Sequence, residues 1–233
     1  MERYGSFTES IKLLNDKFEI FLDSLEVSVE ETDLSPEKKF ERRKRADASG
    51  LEFCRIYFPQ IFTEEFNECH RTISRLQTGN YLISGARKIG KSAFTYCEKI
   101  IRNIALGKFR QIGILMRTVE TGSKERSAAL VRLIKRNKLL IYDYDIEIEQ
   151  DKKGYYIINN VTLLSIGVDM ILRGLIEDEF KRFNLIVADD LFGTSTVTSE
   201  LDNEKIYNFI TSEAIGQLED DGLFIWLANM ISY

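Results

Sequence analysis

A chain of 233 residues with 44% hydrophobic and 30% charged residues has the composition of a globular protein and enough length for one sizeable core. Its net charge of −5 excludes a protein that coats nucleic acid through bulk positive charge, though not a local basic patch. No apolar stretch approaches the about 18 residues that span a bilayer, and Met1-Glu2-Arg3-Tyr4 opens no signal-peptide core. The cysteines, Cys54, Cys69 and Cys97, have no metal-ligand spacing and fit a reduced, cytosolic setting. The single histidine, His70, reads as an ordinary helix-surface or packing residue.

In chain order, residues 9–25 read as a first helix, with Ile11, Leu14, Phe18, Leu22 and Leu25 on one face and a capping box from Ser6 and Glu9. An acidic and then basic stretch runs to about Gly50. Its basic run, Lys38 to Arg45, reads as a solvated helix or linker, with a nucleic-acid patch as the alternative. Next comes a helix opened by Thr63, lined by Phe66, Cys69, Ile73 and Leu76 and ended by Gly79. Tyr81-Leu82-Ile83 is a short apolar run suited to a buried parallel strand.

The eight residues that begin at Gly85 carry the strongest signal in the chain. Gly85-Ala86-Arg87-Lys88-Ile89-Gly90-Lys91-Ser92 matches G-x-x-x-x-G-K-[ST], the P-loop or Walker A pattern, in full. Each part of that pattern has a mechanical task. Gly85 and Gly90 let the backbone turn its N–H groups inward to cradle phosphate oxygens. Lys91 brings a point charge to the β- and γ-phosphates, and the Ser92 hydroxyl suits Mg²⁺. The following helix turns its positive end to the same anions. Phe94, Cys97, Ile101 and Ile104 have helical spacing, and Gly107 is a stop.

Further on, Gln111–Met116 reads as a strand and Ser123–Arg136 as a helix. Tyr155–Ile158 and Val161–Ile166 read as two strands joined by an Asn159-Asn160 hairpin turn. Leu185–Ala188 is a strand that ends in Asp189-Asp190, the Walker B arrangement. Strand ends of this kind lie at the carboxyl edge of the sheet, where ligands of open α/β sheets bind. Asp189 is the expected Mg²⁺ partner and Asp190 the carboxylate that orients the attacking water. A helix over Glu204–Ile215 turns Ile206, Phe209, Ile210 and Ala214 inward, and Leu223–Leu227 is the last strand.

These alternating elements predict an α/β fold: a P-loop NTPase of RecA-like (ASCE) type with a mainly parallel central sheet flanked by helices. The predicted organisation is an N-terminal helical or linker segment over 1–50 and a P-loop ATPase domain over 51–233. Arginines suit charge neutralisation at the transferred phosphoryl group. Arg87 is the candidate in cis. Arg117 and Arg126 either project toward a neighbouring subunit or are solvated surface arginines.

Four stretches resemble the ATPase domain of the large terminase subunit of tailed bacteriophages, over roughly residues 51–233. They are Phe53–Pro59 with Phe66 and His70; the arginine-containing Walker A; Arg173-Gly174-Leu175-Ile176 followed by Lys181–Asp190; and Phe224–Ile231, in the place of the family's coupling motif. The resemblance implies ATP and Mg²⁺ as cofactors. It implies Arg87 as a γ-phosphate stabiliser beside Lys91 and Asp190 in catalysis, and Asn229 in coupling hydrolysis to movement.

The same resemblance implies double-stranded DNA, a portal protein and a small terminase subunit as partners, and a homo-oligomeric, pentameric ring without membrane association. The expected location is the cytoplasm of an infected bacterial host and, transiently, the procapsid. The family's usual Asp-Glu at Walker B reads Asp189-Asp190 here, and its Gly-Thr coupling pair reads Ala228-Asn229. The family's nuclease domain is expected to be absent. A nucleotide-regulated assembly module with little turnover and another P-loop nucleic-acid motor, such as a helicase, are the alternatives.

Overall fold

The computed structural model describes residues 33–86, 89–168, 170, 182–192 and 200–229. The helix expected over 9–25, together with Arg87, Lys88 and the Arg173-Gly174 pair, lies outside the described residues.

One seven-stranded sheet organises the chain, in the order β1-β7-β6-β2-β5-β4-β3. The strands are β1 (Gly79–Gly85), β2 (Gln111–Met116), β3 (Ile148–Lys152), β4 (Tyr155–Ile158), β5 (Val161–Gly167), β6 (Phe183–Asp189) and β7 (Leu218–Asn229). The run β1-β7-β6-β2-β5 is parallel throughout. Strands β3 and β4 add to β5 in antiparallel fashion. The expected α/β architecture is therefore present, with an antiparallel extension at one edge.

Parallel strands buried on both faces read as near-continuous apolar runs. Central β2 is buried along its whole length with Gln111 as its one polar residue, and β6 is buried at all but one position. One face packs Ile112, Ile114, Leu185, Val187, Leu223 and Ile225 under the helices that precede and follow β1. The other packs Leu115, Ile186, Ala188 and Phe224 under Ile206, Phe209, Ile210 and Ala214, the inner face expected for the late helix. That helix is α8 (Glu200–Asn208), continued by a π turn over Phe209–Ala214.

The P-loop helix begins as α4 (Lys91–Thr95), widens into a π turn over Tyr96–Ile101 and ends as α5 (Arg102–Leu106). Gly107 caps it with φ 59°, the left-handed stop that glycine adopts freely. The hairpin turn also forms as expected: Asn159 and Asn160 both have positive φ, 49° and 60°, as a two-residue hairpin of right-handed twist requires.

Several expectations are corrected. The P-loop strand β1 is outermost in the sheet, pairs only with β7 among the described strands, and leaves Leu82 59% exposed. A short apolar run does not distinguish a central strand from an edge strand, because the neighbours decide burial. The helix before it is α3 (Glu68–Arg75), capped by Asn67 rather than opened by Thr63, and Gly79 starts β1. Asn67 wins because its side chain accepts the His70 N–H while the His70 ring accepts the Asn67 N–H, a reciprocal capping box.

The basic stretch forms a helix, α1 (Pro36–Ala48), followed by α2 (Gly50–Tyr57). Most of its cations are bound within the chain. Arg42 forks onto Asp143 with two bonds of 2.7 Å, Lys39 pairs with Asp145 at 3.0 Å, and Arg45 pairs with Glu52 at 2.5 Å. Asp143 lies on α7 (Lys138–Tyr144), a helix that periodicity does not reveal, since it is short and follows α6 (Lys124–Arg136) after one residue.

Candidate nucleotide site

Strand register brings the two halves of the motif together. Gly85 of β1 pairs with Asn229 of β7, and Ile83 pairs with Leu227, which in turn pairs with Asp189 of β6. The P-loop and the end of the acidic strand thus leave the sheet at the same carboxyl edge, two strand spacings or about 10 Å apart. Asn229, expected in coupling, stands at that edge beside Gly85.

The loop is shaped by its glycines. Gly90 has φ 81°, and a Cβ there would lie 2.9 Å from His70 Nε2. A Cβ on Gly85 would lie 3.0 Å from Ile89 Cδ1 and 3.6 Å from Lys91 Cδ, so the cradle closes around the lysine stem. Lys91 is 5% exposed, and its ammonium donates to the carbonyls of Gly85 at 2.9 Å and Ala86 at 2.8 Å. A phosphate that draws Lys91 away must replace these two bonds, as its charged oxygens are able to do.

Beneath the loop, His70 is buried among Phe62, Phe66 and Phe94, with its ring centroid 4.9 Å from that of Phe94. Its Nδ1 accepts from Asn67, so Nε2 carries the proton. Nε2 makes no hydrogen bond of sound geometry. Burial pulls the His70 pKa below the usual histidine value, and the nearby backbone of Ile89 and Gly90 offsets part of that pull. Asn67 also reaches the loop, donating to the Ile89 carbonyl at 3.3 Å. His70 is a packing residue, as read from sequence, but what it packs against is the P-loop.

Across the edge, Asp189 is 6% exposed and accepts a 2.8 Å hydrogen bond from the Tyr96 hydroxyl. Tyr96 is the C-cap residue of α4, one helical turn beyond Ser92. Burial, reinforced by Asp189, lifts its pKa well above the ordinary tyrosine value, so the phenol stays protonated and is the donor. Asp190 is exposed and has φ 51°, a left-handed conformation that aspartate tolerates and that turns the chain away from β6.

Sequence reasoning missed Tyr96. Its only signal is the i, i+4 spacing from Ser92, which places both on one helix face. Of the two arginines considered for a neighbouring subunit, Arg126 lies over the Tyr96 ring of its own chain, 5.4 Å from the centroid. Arg117 pairs with Asp202 of α8 at 3.6 Å.

The donor set fits a phosphate chain with a hard divalent cation. The glycine cradle admits backbone approach, the Lys91 ammonium and the buried Asp189 carboxylate lie at one sheet edge, and Ser92 stands in the first turn of α4. Among the described residues no group of three or more His, Cys, Asp or Glu side chains could hold a metal ion. Beside nucleotides Mg²⁺ keeps several waters and takes further oxygens from the phosphates, so Ser92 and Asp189 would suffice as its protein partners. Among the described residues no helix is long and apolar enough to cross a membrane.

No family model matches the chain, and no curated protein matches it in sequence. In structure it is similar to a chain of the bacteriophage phi29 viral genome packaging motor assembly, with 17% identity, a TM-score of 0.46, and coverage of 72% of this chain and 48% of that one. It is similar to the N-terminal domain of the DNA packaging ATPase from bacteriophage phi29, with 17% identity, a TM-score of 0.46, and coverage of 72% and 80%. It is also similar to the large terminase of a thermophilic bacteriophage, with 12% identity, a TM-score of 0.42, and coverage of 71% and 39%. The chain thus spans about half of the phi29 motor chain, 48%, and less of the thermophilic phage's terminase, 39%.

Proposed function

We propose that this chain is the ATPase motor domain of a viral DNA-packaging terminase, hydrolysing ATP to move double-stranded DNA into a procapsid. The observation that carries the ATPase reading is the shared edge: a complete P-loop follows Gly85 of β1, and Asp189 ends β6 two strands away. The packaging role rests on the four sequence stretches that resemble large terminase subunits. With it go the proposed partners (DNA, portal protein, small terminase subunit and further copies in a ring) and the proposed location in the infected host cell and on the procapsid.

In this reading the loop N–H groups of Gly85 to Ser92 hold the phosphates, and Lys91 leaves the Gly85 and Ala86 carbonyls to neutralise the β- and γ-oxygens. Ser92 and Asp189 would hold Mg²⁺, which would supply charge neutralisation at the phosphates. Asp190 orients the attacking water, and Arg87 stabilises the γ-phosphate. Catalysis is then positioning plus electrostatics rather than covalent chemistry. A nucleotide-regulated assembly module with little turnover is the second reading, favoured by the short Asp190 in the place of a glutamate.

The test is steady-state ATP hydrolysis by the purified chain, with and without double-stranded DNA, beside Lys91→Ala. Turnover that vanishes in the variant supports the site, and stimulation by DNA supports packaging. ATP binding without turnover favours the assembly module. Equal turnover in Lys91→Ala overturns the assignment.

A further inference from the structure

We propose that Tyr96 is a positioning residue for Asp189: its hydroxyl holds one carboxylate oxygen so that the other is left to a divalent cation and its water. This rests on the reading of Gly85–Ser92 with Asp189 as a nucleotide and metal site.

The contact is specific. Tyr96 Oη donates to Asp189 Oδ2 at 2.8 Å, with both residues buried, at 3% and 6% exposure. A buried carboxylate is held in one rotamer by the donors it finds, and a neutral phenol cannot compete with a cation for the second oxygen. The helix that presents Ser92 also presents Tyr96 one turn later, so both proposed metal-side oxygens depend on one rigid element.

The ring itself is fixed. It lies where α4 opens into the π turn, and the Arg126 guanidinium covers one face. Ligand carboxylates are commonly oriented by such outer hydrogen bonds, and removing one typically lowers metal affinity by about 10–100-fold.

The test uses the full chain with Tyr96→Phe, which keeps the ring and removes the hydroxyl. Nucleotide affinity is measured with a fluorescent ATP analogue in EDTA. Metal affinity is measured by electron paramagnetic resonance of Mn²⁺ added to the chain bound to a non-hydrolysable ATP analogue. The expected result is metal-free nucleotide affinity within about twofold of the native chain and Mn²⁺ affinity weaker by about tenfold.

Native Mn²⁺ affinity in Tyr96→Phe, with Asp189→Asn weakened, overturns the role of Tyr96 alone. So does a parallel loss of metal-free nucleotide affinity and thermal stability, which marks a packing residue. If Lys91→Ala and Asp189→Asn both keep native binding, the site reading itself falls. Should Tyr96→Phe not fold, 3,5-difluorotyrosine at position 96 retains the ring and alters the donor strength. A changed Mn²⁺ affinity then supports the role, and an unchanged one overturns it.

Discussion

His70 Nε2 lies 2.9 Å from where a Cβ would stand on Gly90, so the imidazole forms the floor of the P-loop. The contact links a helix that precedes β1 to the loop that follows it. His70 also closes the capping box of α3, so the helix terminus and the loop share one side chain. Displacing either one disturbs both.

Gly90 therefore faces two constraints at once. Its φ of 81° disfavours any other residue, and the space a side chain needs is taken by His70. Gly90→Ala is expected to cost about 1–2 kcal/mol from backbone strain and to weaken nucleotide binding by at least tenfold. Thermal melting and titration with a fluorescent ATP analogue check this. Adding His70→Ala relieves the collision but not the strain, so only part of the loss returns.

The same histidine predicts a pH dependence. Burial depresses its folded-state pKa, so at low pH the unfolded chain binds a proton that the folded chain resists. A depressed base stabilises the fold above its unfolded pKa of about 6.5, and that stability declines as the pH falls toward the lower folded value. Melting temperature is expected to drop between about pH 7 and pH 5.5, with a shallower slope in His70→Gln. Because the chain has one histidine, the difference between the two slopes reports on the imidazole of His70 and on no other imidazole.

Helix α1 is anchored by charge. Arg42 and Asp143 form two bonds of 2.7 Å, with Asp143 fully buried, and Tyr57 Oη donates to the same carboxylate at 2.9 Å. Removing the cation leaves an unpaired buried charge. Arg42→Met is expected to cost about 3 kcal/mol, read by urea unfolding. Arg42→Met with Asp143→Leu recovers most of that loss, because replacing both partners removes the desolvation penalty.

A good part of the fold is legible in the residues. Strand β1, the left-handed Gly90 and the helix from Lys91 stand in the order that the Gly85–Ser92 pattern calls for. Strand β2 and the Asn159-Asn160 turn fall where expected because burial on both faces and two positive φ angles restrict residue choice locally. The inner face of Ile206, Phe209, Ile210 and Ala214 follows from helical period in the same way.

What lay beyond reach of that reading depends on neighbours distant in sequence. That β1 sits at the sheet edge follows from strand order, which no local pattern encodes. Lys39 and Arg42 of α1 look free in sequence and are bound in space, because Asp145 and Asp143 arrive about a hundred positions later. Tyr96 resembles any helix aromatic until β6 places Asp189 against it, and Arg126 resembles a surface arginine until the Tyr96 ring lies under it. Local chemistry selects loops, turns and periods; the pairing of charges and hydroxyls at the candidate site is decided only when the sheet is assembled.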